Sequence, residues 1–242
     1  MMSFMQFRVE RAVAAASFFA SLGIVAVPAQ QLDSASIVQH IDAVIQARFE
    51  NVLGFTVTEH YAVYRNNDET HPVAEMTVKT VYNKDAGKSY TILSQTGSQV
   101  IQSLVLKPLL DNEKRINQPG VREASWFTSA NYEMKLKPGG TQRLDGRDCL
   151  AVAITPRRKA SNLIEGTMWV DAGDFSTVQI QGTASKSPSV FTGPTQMTRQ
   201  YAIVAGFAQA THASAVSNSF LFGKTVVTID YRDYQVQLRP AK

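Results

Sequence analysis

The residues that could do chemistry in this chain of 242 residues are few and scattered. Its four histidines are His40, His60, His71 and His212. No two stand four apart, none sits in an H-E-x-x-H pattern, and no carboxylate cluster adjoins one. There is no G-x-S-x-G elbow to expose a nucleophilic serine and no glycine-rich loop to cradle a phosphate. Asp171 and Asp174 could form a carboxylate pair for acid–base work. They flank Ala172-Gly173, however, and short carboxylates at that spacing serve a tight turn. Cys149 is the single cysteine, which excludes an intramolecular disulfide and a cysteine-based zinc site. It opens the apolar run Cys149–Ile154, where burial protects a thiol in an oxidising compartment. These residues propose no catalytic site, no metal site and no cofactor, and the chain is not expected to be an enzyme. A hydrolase assembled from distant residues stays open. It would bring His60 or His212 beside a serine and a carboxylate.

One basic patch stands out, Arg157-Arg158-Lys159 after Pro156. It suits anionic headgroups or an acidic partner protein, and its other reading is a solvated loop between strands. No aromatic platform is interleaved with it, so nucleic acid is not an expected partner. The overall balance of 24 basic and 20 acidic residues, net +4, does not argue for nucleic acid either. With 44% hydrophobic and 18% charged residues the composition is that of a folded globular protein, not a disordered tail.

Residues 1–29 read as a secretory signal peptide. Arg8 and Arg11 supply a positive start, Ala12 to Val27 is apolar or small, and Val27-Pro28-Ala29 fits a cleavage site before Gln30. The apolar run falls short of the ~20 residues that span a bilayer. Residues 30–242 are then one exported domain, expected to act as a monomer. It opens with a helix capped by Asp33 or Ser34, in which Ile37, Val38, Ile41, Val44, Ile45 and Phe49 form an apolar stripe.

From Phe55 the period changes to two. Phe55, Val57, Tyr61 and Val63 share one face of a strand. Met76–Tyr82 and Ser89–Leu93 follow, joined by a hairpin turn at residues 83–87. The segment Ser103–Ile116 reads as partly helical despite Pro108, and Val121–Asn131 as a short turn around Trp126. Strands resume at Tyr132–Leu136, Cys149–Ile154, Thr167–Val170, Thr177–Ile180, Thr198–Val204, Gln209–Ser217 and Thr225–Tyr234. About ten strands joined mostly by short turns predict an α+β fold, a single large curved antiparallel sheet with one long helix. Several strands, notably Cys149–Ile154 and Phe220–Phe222, are apolar on both faces. One helix cannot cover that surface. Either the core is filled by loops, or the sheet curls around a cavity whose apolar wall, poor in charges, would suit acyl chains.

Certain stretches together carry a resemblance. Asp145-Gly146-Arg147-Asp148-Cys149 leads into a strand, followed by Thr155-Pro156-Arg157-Arg158. Gly166-Thr167-Met168-Trp169-Val170-Asp171, Phe175-Ser176-Thr177-Val178 and the late Asp230-Tyr231-Arg232-Asp233-Tyr234 come after. This order, with a helix and strand directly after the signal peptide, resembles the outer-membrane lipoprotein-sorting (LolA-like) superfamily. The resemblance implies an unclosed half-barrel wrapped around the N-terminal helix and short helices. It also implies a concave apolar face that holds the acyl chains of lipoprotein or phospholipid, with membrane-associated transport proteins as partners. The long segment Gln95–Asn131 and the Arg157-Arg158-Lys159 loop depart from the carrier pattern. On this reading the cavity residues are Phe55, Val57, Tyr61, Val178, Ile180, Val227, Ile229 and Tyr231, faced by Ile41 and Ile45 of the helix. Arg157, Arg158 and Lys159 are the candidates for a headgroup or partner contact. The same fold with a filled core would instead serve as a periplasmic sensor or protein-interaction module. The sequence leaves open which face of the Trp169 strand points inward.

Overall fold

A helix whose cap is written in its first residues opens the described part of the chain. In the computed structural model, which describes residues 33–186, 194–219 and 223–240, the Asp33 carboxylate accepts from the Ser36 amide at 2.6 Å, satisfying a donor that helical bonding leaves free. Helix α1 then runs Ser34–Asn51 and passes without a loop into strand β1, Val52–Arg65. The expected signal peptide and the apolar Phe220–Phe222 lie outside the described residues.

The remaining strands are β2 Ala74–Asn83, β3 Gly87–Gly97, β4 Tyr132–Leu144, β5 Arg147–Pro156, β6 Ile164–Asp171, β7 Thr177–Ala184, β8 Gln196–Val204, β9 Phe207–Ser219 and β10 Gly223–Leu238. All ten join one antiparallel sheet in the order β3-β2-β1-β10-β9-β8-β7-β6-β5-β4. The first and last strands therefore meet in the interior of the sheet, while β3 and β4 form its two edges. These edges do not pair, so the sheet is an unclosed half-barrel. The chain must travel from one edge to the other between Gly97 and Tyr132. That crossover carries the helical turn α2 Gln99–Ile101, a π-helical turn Gln102–Leu106, helix α3 Lys107–Ile116 and a 3₁₀ turn Arg122–Ser125. The segment that departs from the carrier pattern in sequence is thus the piece that bridges the two edges.

Alternation sets the inner face. On β1, Val57, Glu59, Tyr61 and Val63 are all buried. They stand opposite Thr80, Val78, Met76 and Ala74 of β2, which are buried too. Directly opposed residues share a face, so one inner row can be followed through Met76, Tyr61, Ile229, Ala213, Arg199, Ile180, Met168 and Val152. Met168 and Val170 point inward, and Trp169 lies on the convex face, where its indole N–H donates to Gln142 Oε1 at 3.0 Å. The strand whose facing the sequence left open is thereby oriented.

Two cores form under the sheet. Ile37 and Ile41 of α1 pack with Tyr132, Val152, Ile154 and Met168 beneath β4–β7. Ile101, Leu106 and Leu110 of the crossover pack with Tyr61, Met76, Val78 and Ile229 beneath β1–β3 and β10. Gly166 and Gly182 face each other across β6 and β7. A Cβ on Gly166 would stand 2.1 Å from Gln181 O, and one on Gly182 2.2 Å from Glu165 O. Only glycine permits backbones to approach so closely.

A cavity between two cores as the candidate functional site

Helix α1 serves both regions because its apolar stripe continues past the first core. Ile37 and Ile41 are fully packed, and one turn further on Val44, Ile45, Arg48 and Phe49 roof a cavity of about 260 Å³. Residues at spacings of three and four share a helix face, so Arg48 lies in phase with the apolar stripe. Phe55 and Glu59 of β1, Tyr231 and Tyr234 of β10, and Tyr201 of β8 form the wall from the sheet. The crossover closes the other side with Glu113, Ile116, Trp126 and Phe127. Aromatic packing stiffens the wall: Phe49 stacks on Trp126 with centroids 3.6 Å apart, and Phe55 on Tyr82 at 4.9 Å.

The wall is not poor in charge, contrary to the sequence expectation. Arg48, Glu59, Lys88, Glu113, Arg122 and Arg199 all line it. Four of them form a chain. Lys88 Nζ stands 3.0 Å from Glu59 Oε1 and 3.5 Å from Glu113 Oε2, and Arg199 Nη2 lies 4.0 Å from Glu113 Oε1. The Tyr61 hydroxyl donates to the second oxygen of Glu59. Burial opposes ionisation of Glu113, but the nearby Lys88 and Arg199 outweigh it and hold its carboxyl below the ordinary value. Burial likewise opposes the charge on Lys88, and Glu113 and Glu59 outweigh it, so the ammonium is held above its ordinary value. The chain is charge-balanced, which offsets the cost of burying it.

Arg48 is different. Its Nε donates to Ala208 O at 3.0 Å and its Nη2 to Gln209 Oε1 at 2.8 Å. Both acceptors are neutral, and burial pulls the guanidinium below its ordinary pKa. Because arginine can only donate, it takes the Gln209 oxygen. The Gln209 amide nitrogen, in a side chain 1% exposed, is left without a partner.

Of the ten residues expected to line a cavity, Ile45, Phe55 and Tyr231 do so. Ile41 and Ile180 belong to the first core, Tyr61 and Ile229 to the second, with Val227 packed against it. Val57 and Val178 are buried outside the lining. Alternation did find the inner face. It could not tell which inner positions touch side chains and which touch open space. The signal that marks the site is a charge in phase with an apolar face, as at Arg48 and Glu59.

Arg158 and Lys159 border a second depression. Arg157 is turned away from it and donates to Ser129 O at 2.9 Å. The other chemistry-bearing residues sit elsewhere. His60 Nε2 lies 3.3 Å from Glu75 Oε1, and His212 Nδ1 lies 2.8 Å from Asp230 Oδ1. Both histidines alternate with inner-row residues and so stand on the convex face. Among the described residues no serine hydroxyl is hydrogen-bonded to either. Asp171 serves its turn, accepting from the Gly173 amide at 2.8 Å and pairing with Arg147 at 2.8 Å. Cys149 is buried, and burial pushes its thiol pKa up. Among the described residues there is no cluster of His, Cys, Asp and Glu placed to hold a metal ion, and no helix long and apolar enough to cross a membrane.

No family model and no curated protein matches the sequence. Solved structures similar in fold include a LolA-superfamily protein from Nitrosomonas europaea, at 12% identity and TM-score 0.45, covering 86% of this chain and 94% of that one. A putative outer membrane lipoprotein-sorting protein domain from Vibrio parahaemolyticus aligns at 14% identity and TM-score 0.47, over 84% of this chain and 92% of that one. A DUF1329 family protein from Desulfovibrio piger aligns at 13% identity and TM-score 0.42, over 83% and 93%.

Proposed function

We propose that this is a periplasmic binding protein that shields an acyl chain of lipid or lipoprotein in its cavity, in lipoprotein sorting or lipid transport. The proposed role is carriage, not catalysis. The observation that carries it is the cavity itself, left between two cores that are each filled. Phe49, Phe55, Trp126, Phe127 and Phe207 line it, offering hydrocarbon an aromatic surface. Its volume lies just under the ~300–1,000 Å³ usual for ligand pockets, which suits a single chain. Each methylene moved out of water contributes about 0.8 kcal/mol, so even part of a chain is held firmly. The ion chain Glu59–Lys88–Glu113–Arg199 is already satisfied internally and makes no demand on a neutral hydrocarbon. Titration with a fluorescent long-chain fatty-acid probe tests this reading. Saturable binding with displacement by unlabelled fatty acid supports it, and absence of uptake contradicts it.

A further inference from the structure

The cavity wall and a second depression share two residues, Ile116 and Ser125. This depression, of about 400 Å³, is bordered by Arg115 at the end of α3, Arg158 and Lys159 after β5, and Lys186 after β7. No carboxylate lines it. None of the four cations is in an ion pair among the described residues. The hydrogen bonds that hold the arginines go to neutral oxygens. Arg158 Nη2 donates to Ala124 O at 2.6 Å, and Arg115 Nη2 to Asn112 Oδ1 at 2.7 Å. On the shared border Asn162 Nδ2 donates to Ser125 Oγ at 2.6 Å, tying the loop after β5 to the crossover.

Four like charges converging from three separate segments repel one another, and an anion placed among them relieves that repulsion. Phosphate fits better than carboxylate. It brings more charge and more acceptor oxygens, and arginine forks match it in two-pronged geometry. On the acyl-chain reading the adjoining cavity takes hydrocarbon. A molecule with both parts can occupy both spaces at once across Ile116 and Ser125.

We infer that the cargo is a phosphate-bearing amphiphile, with its chain in the cavity and its phosphate among Arg115, Arg158, Lys159 and Lys186. This rests on the acyl-chain reading and adds the headgroup that the reading leaves open. The test is calorimetric titration of the full chain with decyl phosphate, 1-decanol and inorganic phosphate, all below the aggregation threshold of the amphiphiles. The readout is the ratio of the two decyl affinities. We expect wild type to prefer decyl phosphate by about tenfold or more. The ratio should fall toward one in the double variant Arg158→Glu, Lys159→Glu. Raising the salt gives an independent reading on wild type, because exposed cations are screened and the ratio should shrink. Equal decyl affinities in wild type, or a ratio that survives both charge reversal and salt, overturns the headgroup site and leaves the acyl-chain reading standing. Inorganic phosphate bound as tightly as decyl phosphate overturns the lipid source in favour of a free anion. Failure of wild type to bind either decyl compound overturns the acyl-chain reading and this inference with it.

Discussion

Lys88 on β3 and Glu59 on β1 make an ion pair of 3.0 Å although β2 lies between their strands. Neighbouring strands stand ~4.8 Å apart, so the lysine stem lies across the inner face of β2 to reach its partner. Both side chains are buried, Glu59 to 1% exposure and Lys88 to 9%. The pair binds an edge strand to an interior one, and Glu113 at 3.5 Å brings the crossover into the same contact. Removing one partner of a buried pair strands the other charge. We predict that Lys88→Met lowers unfolding free energy by about 3–5 kcal/mol, read from urea denaturation. Adding Glu59→Leu to that variant should recover part of the loss.

The same cluster sets an acid limit. Glu113 has a folded pKa below its ordinary value of 4.5, so its contribution to stability is complete above that value. It is lost as pH falls below 4.5 through the depressed folded value. Lys88 is held above its ordinary 10.5, and its contribution is present below that value and lost only as pH rises past it. Thermal melting of wild type should therefore be flat across neutral pH and fall on the acid side below about 4.5. Glu113→Gln should flatten that acid limb, and an unchanged limb would remove Glu113 from its cause.

Cavity and core substitutions should separate. Val44 lines the cavity, and Val44→Phe fills part of it while leaving both cores intact. We predict weaker uptake of the fatty-acid probe with little change in melting temperature. Ile229 sits in the second core at 7% exposure. Ile229→Glu buries an unpaired charge there and should cost folding outright, so lost binding in that variant reports on stability. Equal loss of stability in the two variants would contradict this division.

Arg48 and Gln209 form a second separable unit. Arg48→Met removes the donor to Gln209 Oε1 in a buried setting. Leaving that oxygen unpaired should cost about 1–3 kcal/mol. Adding Gln209→Leu should restore part of it, since the stranded side-chain oxygen is then gone while Ala208 O still lacks its Arg48 donor. A double variant less stable than the sum of the single ones would show that the pair acts otherwise.

The glycine pair gives a backbone prediction. Gly182→Ala places a methyl group 2.2 Å from Glu165 O, where neither backbone can yield without moving β6 from β7. We predict a loss of about 1–3 kcal/mol, in the range of overpacked interiors. Gly120→Ala tests a different cause: its Cβ would meet nothing within 4 Å, but its φ is +79°, so any cost arises from backbone strain alone.

Much of the fold is visible in the residue pattern, because its determinants are local. The Asp33 cap, the stripe from Ile37 to Phe49 and the alternation from Phe55 to Val63 each depend on residues a few positions apart. All ten strands are announced this way. Their lengths are not. β10 extends to Leu238 through a bulge at Asp233, whose φ of +58° no periodicity reveals. The π-helical turn at Gln102–Leu106 was likewise hidden, since its apolar residues fit an α-helix as well. The site is less legible because it is built from distant pieces. Glu59 is hidden in the pattern because it stands among Phe55, Val57, Tyr61 and Val63, where a carboxylate has no place until Lys88 is brought over β2 to meet it. Arg48 is hidden in the helix stripe in the same way, since its partners Ala208 and Gln209 are 160 residues or more away in sequence. Arg158 and Lys159 were found as a run, but Arg115 and Lys186 join them only through the crossover and the end of β7.

The central claim is that the space under α1 holds hydrocarbon. Native mass spectrometry of the full chain, expressed with export to the periplasm of a Gram-negative host and followed by organic extraction, tests it most directly. We predict a population heavier than the bare polypeptide by the mass of an acylated compound, recovered in the extract and depleted in Val44→Phe. A single bare mass, an extract empty of lipid and no uptake of the fatty-acid probe would contradict it.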